Sequence, residues 1–311
     1  NDMSTETHTN TAPGPEGPGR KPEWLKKPLP RAAAVHEVEG ILRTRHLHTV
    51  CESAKCPNKG ECFERGTATF LIMGNTCTRD CRFCSVPGGH PGPLDPGEPE
   101  GVADAAATMS LSHVVITSVT RDDLPDGGAG HFAATVAAVQ SRVPGATVEV
   151  LIPDMGGETA HVDVVLDSAP DVFNHNVETV PRLYPRVRPQ ADYRRSLDVL
   201  AHAARRGDSV VKTGIMVGLG EEEEEVRAFL GEAVAAGVAV VTIGQYLRPS
   251  REHLPVVEYV PPEVFVEYRR FGEALGLVVE AAPFVRSSYR AEEGLRRVST
   301  GGIGELREDT C

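Results

Sequence analysis

Residues 51–84 read CESAKCPNKGECFERGTATFLIMGNTCTRDCRFC. Six of the chain's seven cysteines fall here, in two triplets, Cys51-x4-Cys56-x5-Cys62 and Cys77-x3-Cys81-x2-Cys84. Between them, Thr69-Phe70-Leu71-Ile72-Met73-Gly74 reads as a buried strand that ends at the loop carrying the second triplet. Three thiolates per triplet is the informative number. A structural zinc site wants four closed ligands, whereas an iron–sulfur cube held by three cysteines keeps one iron open to something else. Disulfides and zinc are the plain alternatives. No secretory signal and no apolar run long enough to span a membrane is read. Clustered cysteines in such a chain point to metal rather than to disulfides. A zinc ribbon is built from two Cys-x2-Cys pairs, and only Cys81/Cys84 has that spacing.

Outward from this stretch, strand and helix alternate. A helix over 32–47 leads into the first triplet, with Val35, Val38, Ile41 and Leu42 at helical spacing. Beyond the second triplet, strands are expected at 113–119, 147–152, 171–177, 210–217 and 238–247. Helices are expected at 100–110, 130–142, 159–168, 192–206 and 261–274, with another opening at the acidic run 221–225. A last extended piece covers 277–285. Six strand–helix units in succession predict a parallel sheet, because each crossover returns the chain in the same direction. Periodicity alone does not separate an open sheet from a curved, incomplete barrel. Either way the chemistry gathers at the carboxyl ends of the strands.

Polar residues do collect there: Arg121 to Gly128, Asp154, Asn174 to Thr179, Lys212 and Thr213, and Gln245 to Ser250. Asp122, Asp123 and Asp126 read as ordinary loop chemistry, since Pro-Asp-Gly-Gly is a strong turn sequence. Asn176 and Glu178 are alternate residues of a strand end, so they share one face and can offer hydrogen bonds to a ribose or an amino group. On that reading His175 points the other way. The run Glu221 to Glu225 reads as a solvated first helical turn.

The chain has 311 residues, 40% of them apolar, with 31 glycines, 24 prolines and a formal charge of −12. That charge argues against a backbone-driven nucleic-acid binder, which needs a basic footprint. The expected organisation is a disordered tail over 1–22, an N-terminal extension with the first triplet over 23–65, an α/β body over 66–276 and a C-terminal extension over 277–311. Trp24, the single tryptophan, is expected to pack on the body. Cys311, outside both triplets, reads as an incidental thiol.

The second triplet, with Phe83 before its last cysteine, reads Cys-x3-Cys-x-Phe-Cys, which resembles the signature of the radical SAM superfamily. Both triplets in this order, together with Arg286-Ser287-Ser288-Tyr289, resemble the lipoyl synthase family. The likeness extends over residues 21–293 and includes Gly66 to Phe70, Arg121 to Gly128, Asn174 to Pro181 and Gly244 to Leu247. The resemblance implies a partial (β/α)6 TIM-like barrel of the radical SAM type with N- and C-terminal extensions. It implies two 4Fe-4S clusters per chain and S-adenosyl-L-methionine. Cys77, Cys81 and Cys84 would hold the cluster that cleaves S-adenosylmethionine. Cys51, Cys56 and Cys62, with Ser288 as an unusual fourth ligand, would hold an auxiliary cluster that is the sulfur source. Phe83, Asn176, Glu178 and Arg286 would lie on the cofactors.

The implied reaction inserts sulfur at C6 and C8 of a protein-bound N6-octanoyl-lysine, giving lipoyl-lysine, methionine and 5'-deoxyadenosine. The implied partners are an octanoylated lipoyl carrier domain of the E2 or glycine-cleavage H-protein type, or an octanoyl-lysine peptide. A reductant such as ferredoxin or flavodoxin completes the set. Neither nucleic acid nor membrane is involved, and the expected location is cytoplasmic. The departures are modest: Glu280-Ala281-Ala282-Pro283-Phe284 replaces a Ser-Gly-Pro-Leu-like segment, and Thr213 stands where Ser is usual. They leave open a divergent paralogue acting on another acyl chain. A tRNA methylthiotransferase would want a wider gap between triplets and a basic RNA-binding appendage. A non-catalytic iron–sulfur or zinc scaffold would not need a six-unit body with polar strand ends.

Overall fold

The computed structural model describes residues 19–26, 32–53, 56–64, 68–289 and 291–299. The tail expected over 1–22 lies outside these up to residue 18, and so does Cys311. Helix α1 (Ala32–Thr44) and a two-residue strand, β1 (His48–Thr49), lead into short helices α2 (Val50–Ser53) and α3 (Lys59–Glu64). Strand β2 (Thr69–Ile72) precedes the second triplet. The chain then alternates through α4 (Glu98–Thr108), β3 (His113–Ser118), α5 (Ala129–Arg142), β4 (Thr147–Leu151), α6 (Thr159–Asp167) and β5 (Val172–Asn174). It continues through α7 (Tyr184–Val187), α8 (Tyr193–Arg206), β6 (Val210–Val217), α9 (Glu223–Ala235), β7 (Val240–Gln245) and α10 (Pro262–Ala274). Strand β8 (Val278–Ala281) and helix α11 (Ala291–Ser299) complete the described elements.

The eight strands form one sheet in strict sequence order. β1 pairs antiparallel with β2, and every later pair is parallel. A doubly wound sheet needs a point where the strand order reverses. Here the order never reverses, so right-handed crossovers always step the same way. All helices then fall on one face and the other face becomes an interior. β1 and β8 end the sheet, so the barrel is open. β8 adds a seventh parallel strand to the six expected, in the register Val240↔Val278.

Local chemistry explains the elements. Asp192 caps α8 by accepting from Arg195 N at 2.8 Å, and Gly207, at φ 74°, ends it in the left-handed conformation a side chain resists. Between these ends, Leu197, Leu200 and Ala203 are buried while Arg205 and Arg206 face water. Each buried leucine contributes about 2 kcal/mol of apolar burial. The strands are buried along nearly their whole length, as parallel strands covered on both faces must be.

Inside the barrel, polar groups on successive strands satisfy one another. Glu149 of β4 accepts from Lys212 Nζ of β6 at 3.0 and 3.1 Å and from Asn174 Nδ2 of β5 at 2.9 Å. Burial alone would raise the Glu149 carboxyl, but Lys212 and His113 hold it down at about 2. Leu151, Asn176 and Gly214 lie two residues beyond members of this layer and line the cavity above it. The layer is therefore the cavity's underpinning. Among the described residues no helix is long and apolar enough to cross a membrane.

Candidate functional site

One cavity of about 540 Å³ opens at the carboxyl ends of the strands. Its wall takes Cys51 and Cys56 from the N-terminal extension, Cys77, Cys81 and Cys84 from the loop after β2, and Arg286, Ser287 and Ser288 from the segment after β8. The structure thus brings together five of the six clustered cysteines and the Arg-Ser-Ser motif. Cys62, in α3, is half-buried and does not line this cavity. A second cavity of about 470 Å³ beside α8 holds Asp192, Arg194 and Arg195 and no cysteine, so the chemistry lies in the first.

The second triplet sits on a loop fixed from many sides. Met73 and Gly74, at φ 66° and 88°, turn the chain sharply out of β2. Cys77 N donates to Pro87 O at 2.8 Å and Gly89 N donates to Cys77 O at 2.9 Å, closing the loop at its base. Cys77 Sγ accepts from the backbone amides of Arg79 and Thr120 at 3.4 and 3.3 Å. Arg79 donates from Nε and Nη2 to both oxygens of Asp122, at 2.7 and 2.8 Å, and from Nη2 to Asp154 Oδ1 at 2.7 Å. Burial alone would depress the Arg79 guanidinium, but the two carboxylates win and raise it. Burial would likewise raise Asp154, which Arg79 instead holds at about 2. His253 Nε2 donates to Cys84 O at 2.9 Å, and Ser250 holds the other ring nitrogen at 2.8 Å.

Burial pushes Cys84 up to about 12 and Cys51 up to about 11. As free groups these are thiols, and a metal must take the proton's place to make them thiolates. All six triplet cysteines are free of disulfides. Among the described residues, no three His, Cys, Asp or Glu side chains converge to hold a single metal ion. Three free thiols per triplet, each able to take one iron, fit a cube with one iron left open.

The segment after β8 crosses the mouth of the barrel. A Cβ on Gly244 would lie 2.1 Å from Val285 O, so only a glycine in β7 admits the crossing. Asn58 Nδ2 donates to Phe284 O at 2.7 Å, and Tyr289 Oη donates to Glu61 Oε1 at 2.7 Å, tying the segment to α3 and its approach. Thr69 Oγ1 donates to Ser288 Oγ at 2.8 Å, and Thr69 also hydrogen-bonds Cys51. Ser288 therefore stands on the side of the first triplet. Arg286 lies beside Cys56: burial pulls its guanidinium below the ordinary range while Cys56 pulls the other way. Ser287 instead turns to Asn176, donating to Oδ1 at 2.9 Å and accepting from Nδ2 at 2.6 Å.

Asn176 and Glu178 do meet, with Asn176 Nδ2 donating to Glu178 Oε1 at 3.2 Å. The strand-face argument for them fails, however. β5 ends at Asn174, short of the expected 171–177, because the chain leaves the sheet there. Glu178 is instead held in a left-handed conformation at φ 74° by exchange of hydrogen bonds with Gly214 and Met216 of β6. Burial raises the Glu178 carboxyl, and Arg188 and Asn176 oppose the rise. His175 was expected to face away, yet it lines the cavity too, its Nδ1 donating to Ile152 O at 2.9 Å. Phe83 is half-buried in the same wall.

Sequence reasoning missed Arg79, Thr69 and Arg188. Arg188 donates to Asn176 O and Val177 O at 3.0 and 3.2 Å and reaches Cys81. Asp122 is more than turn chemistry, since it binds Arg79; Asp126 is turn chemistry, accepting from Gly128 N and Gly130 N. Glu221 is also no solvated residue: it accepts from Thr179 Oγ1, Gly218 N and Leu219 N and staples the loop after β6.

Comparison with known proteins accords with this geometry. Residues 71–233 match the family model described as the radical SAM superfamily. The chain is 55% identical over 278 residues to the lipoyl synthase of Caldanaerobacter subterraneus subsp. tengcongensis, covering 89% of this chain and 97% of that one. It is 53% identical over 276 residues to the lipoyl synthase of Chlorobium chlorochromatii, covering 88% and 94%. Among solved structures it is similar to the FeFe-hydrogenase maturase HydG from Carboxydothermus hydrogenoformans, with a TM-score of 0.52 and 14% identity, covering 75% of this chain and 66% of that one. At that identity the likeness speaks for the fold alone.

Proposed function

The chain belongs to the lipoyl synthase family of radical SAM enzymes, and from that premise we propose how its own residues divide the work. It is a sulfurtransferase that uses S-adenosylmethionine and a 4Fe-4S cluster on an octanoylated lipoyl carrier protein. In our reading Cys77, Cys81 and Cys84 hold that cluster, and Cys51, Cys56, Cys62 and Ser288 hold a second. When bound, these groups and S-adenosylmethionine supply the 5'-deoxyadenosyl radical that takes hydrogen from C6 and C8, and the sulfide that replaces it.

The protein's own part is to hold, orient and exclude. Arg79, the amides on Cys77 and the His253 contact hold the second triplet in place. Asn176 and Glu178, on the cavity wall, would offer hydrogen bonds to a ribose or amino group, and Phe83 would pack near the base. Leu71, Val119, Leu151, Ile215 and Met216 give the cavity an apolar wall that accepts an aliphatic chain and keeps water from it. Ser288 offers a harder, weaker ligand than a thiolate, one that releases its iron readily. Thr69, donating to Ser288 Oγ, steadies that oxygen. Arg286 places a positive charge beside Cys56 and the sulfur it carries. A low-potential protein donor of the ferredoxin or flavodoxin type delivers the electron.

The single observation that carries this reading is that five of the six triplet cysteines, drawn from both triplets, and the serine motif open on one cavity. The test is anaerobic turnover of an octanoyl-lysine peptide, read by mass for one and two added sulfurs. Cys77→Ala is expected to abolish 5'-deoxyadenosine release, and Ser288→Ala to keep release while slowing sulfur insertion. Unaltered insertion by Ser288→Ala would remove the serine from the site.

A further inference from the structure

Beside the cavity, one stretch of surface gathers arginines that, among the described residues, no carboxylate answers. Arg82 lies between Cys81 and Cys84; its N donates to Val187 O at 3.0 Å and its O accepts from Leu254 N at 3.1 Å. Those two bonds lay the cysteine loop between the segments 186–188 and 248–254. Each segment presents exposed arginine: Arg82 from the loop, Arg186 from the first flank, Arg248 and Arg251 from the second. Exposed Lys21 lines the same cavity as Arg248. Among the described residues none of these forms an ion pair; Arg248 donates only to the backbone oxygen of Arg251. Elsewhere surface arginines are tied down, Arg142 to Asp104, Arg182 to Glu225, Arg206 to Asp167 and Arg227 to Glu223. Unanswered arginines such as Arg205 and Arg270 occur elsewhere on the surface as well.

The nearby anions do not cancel these cations. Asp122 and Asp123 are spent on Arg79 and Arg121. Exposed Asp80 and Glu252 remain, fewer than the cations. The whole chain carries −12, so this face runs against the charge of the rest. Gathered like charges repel one another and gain nothing until an opposite surface meets them. Arginine is also the cation best suited to protein interfaces, through its planar fork of donors.

We propose that Arg82, Arg186, Arg248, Arg251 and Lys21 form the docking face for an acidic surface of the carrier protein around its octanoylated lysine. This rests on the cavity being the site of sulfur insertion, because the chain borne by that lysine must enter there. Net negative charge elsewhere turns the carrier away from other faces and steers it to this one.

The test uses the loaded enzyme with dithionite as reductant and two substrates, an octanoylated carrier domain and a short neutral octanoyl-lysine peptide. The variants are Arg186→Glu, Arg251→Glu and both together, on exposed positions outside the cavity wall. The double variant is expected to raise the carrier KM by about tenfold, with kcat kept within about twofold and peptide turnover unchanged. For the original enzyme, carrier kcat/KM is expected to fall several-fold between about 50 and 300 mM NaCl, and the double variant to lose that dependence. Fluorescence anisotropy of a labelled carrier domain checks the same shift without turnover. Equal effects on carrier and peptide, or none on the carrier, would overturn the proposal. So would an effect seen only when flavodoxin replaces dithionite, which would assign the face to the electron donor. Failure of the original enzyme to turn over the peptide would instead strike the reading of the cavity, and this proposal with it.

Discussion

Arg79 lies inside the second cysteine triplet, 6% exposed, and joins the loops after β3 and β4 through Asp122 and Asp154. Its worth can be read from Asp154. The folded carboxyl is held at about 2, below its ordinary 3.8, so it contributes stability above pH ~4 that is lost as pH falls through 2. The shift corresponds to about 2 kcal/mol. Arg79→Met leaves buried Asp154 with only the longer Arg195 contact at 3.5 Å and the Gly156 amide, and is expected to cost about 3 kcal/mol at pH 7. The gap between the original protein and the variant should narrow as pH falls from 5 to 2, measured by denaturant unfolding. A gap independent of pH would mean that the ion pair is not the cause. Residues of this kind were invisible in the sequence because their partners lie 43 and 75 positions away. The cysteines were legible because their spacing is local. Asn176 and Glu178 were found by an argument from strand alternation that the short β5 does not support.

Among the elements, the order of strands and helices was read correctly and most bounds to within two residues, with β5 and the first helix ending three residues sooner than expected, since apolar runs and helical spacing are local signals. Two-residue β1 and the short helices α2 and α3 gave no period to detect. They matter all the same, because they carry the first triplet to the barrel mouth. The segment after β8 was recognised only through its Arg-Ser-Ser-Tyr resemblance, and its seat depends on a glycine in the neighbouring strand β7. Gly244→Ala puts a methyl carbon against Val285 O, whose backbone cannot yield without moving Arg286 to Ser288. The expected cost is about 1–3 kcal/mol, with sulfur insertion lost before 5'-deoxyadenosine release. Thermal unfolding and product analysis would check it; full insertion in the variant would show that the segment need not sit so close.

At the scale of the whole molecule, the open barrel supplies a cavity at the carboxyl ends of its strands, and extensions from both sides of the barrel in sequence line it. β2 and its loop bring one triplet, α2 and the turn after it bring most of the other, and the segment after β8 brings the serines. The polar layer of Glu149, Lys212 and Asn174 fills the barrel beneath, so the cavity has a floor. None of that convergence was legible from periodicity, which gives elements but not their meeting point. The central claim is that each triplet holds its own cluster and that only one of the two makes the radical. Counting iron after anaerobic loading tests it most directly, in the original protein and in Cys56→Ala. The account predicts about eight irons per chain falling to about four in the variant, with 5'-deoxyadenosine release kept and sulfur insertion lost. Lipoyl product from a variant holding only four irons, with no added sulfur donor, would contradict it.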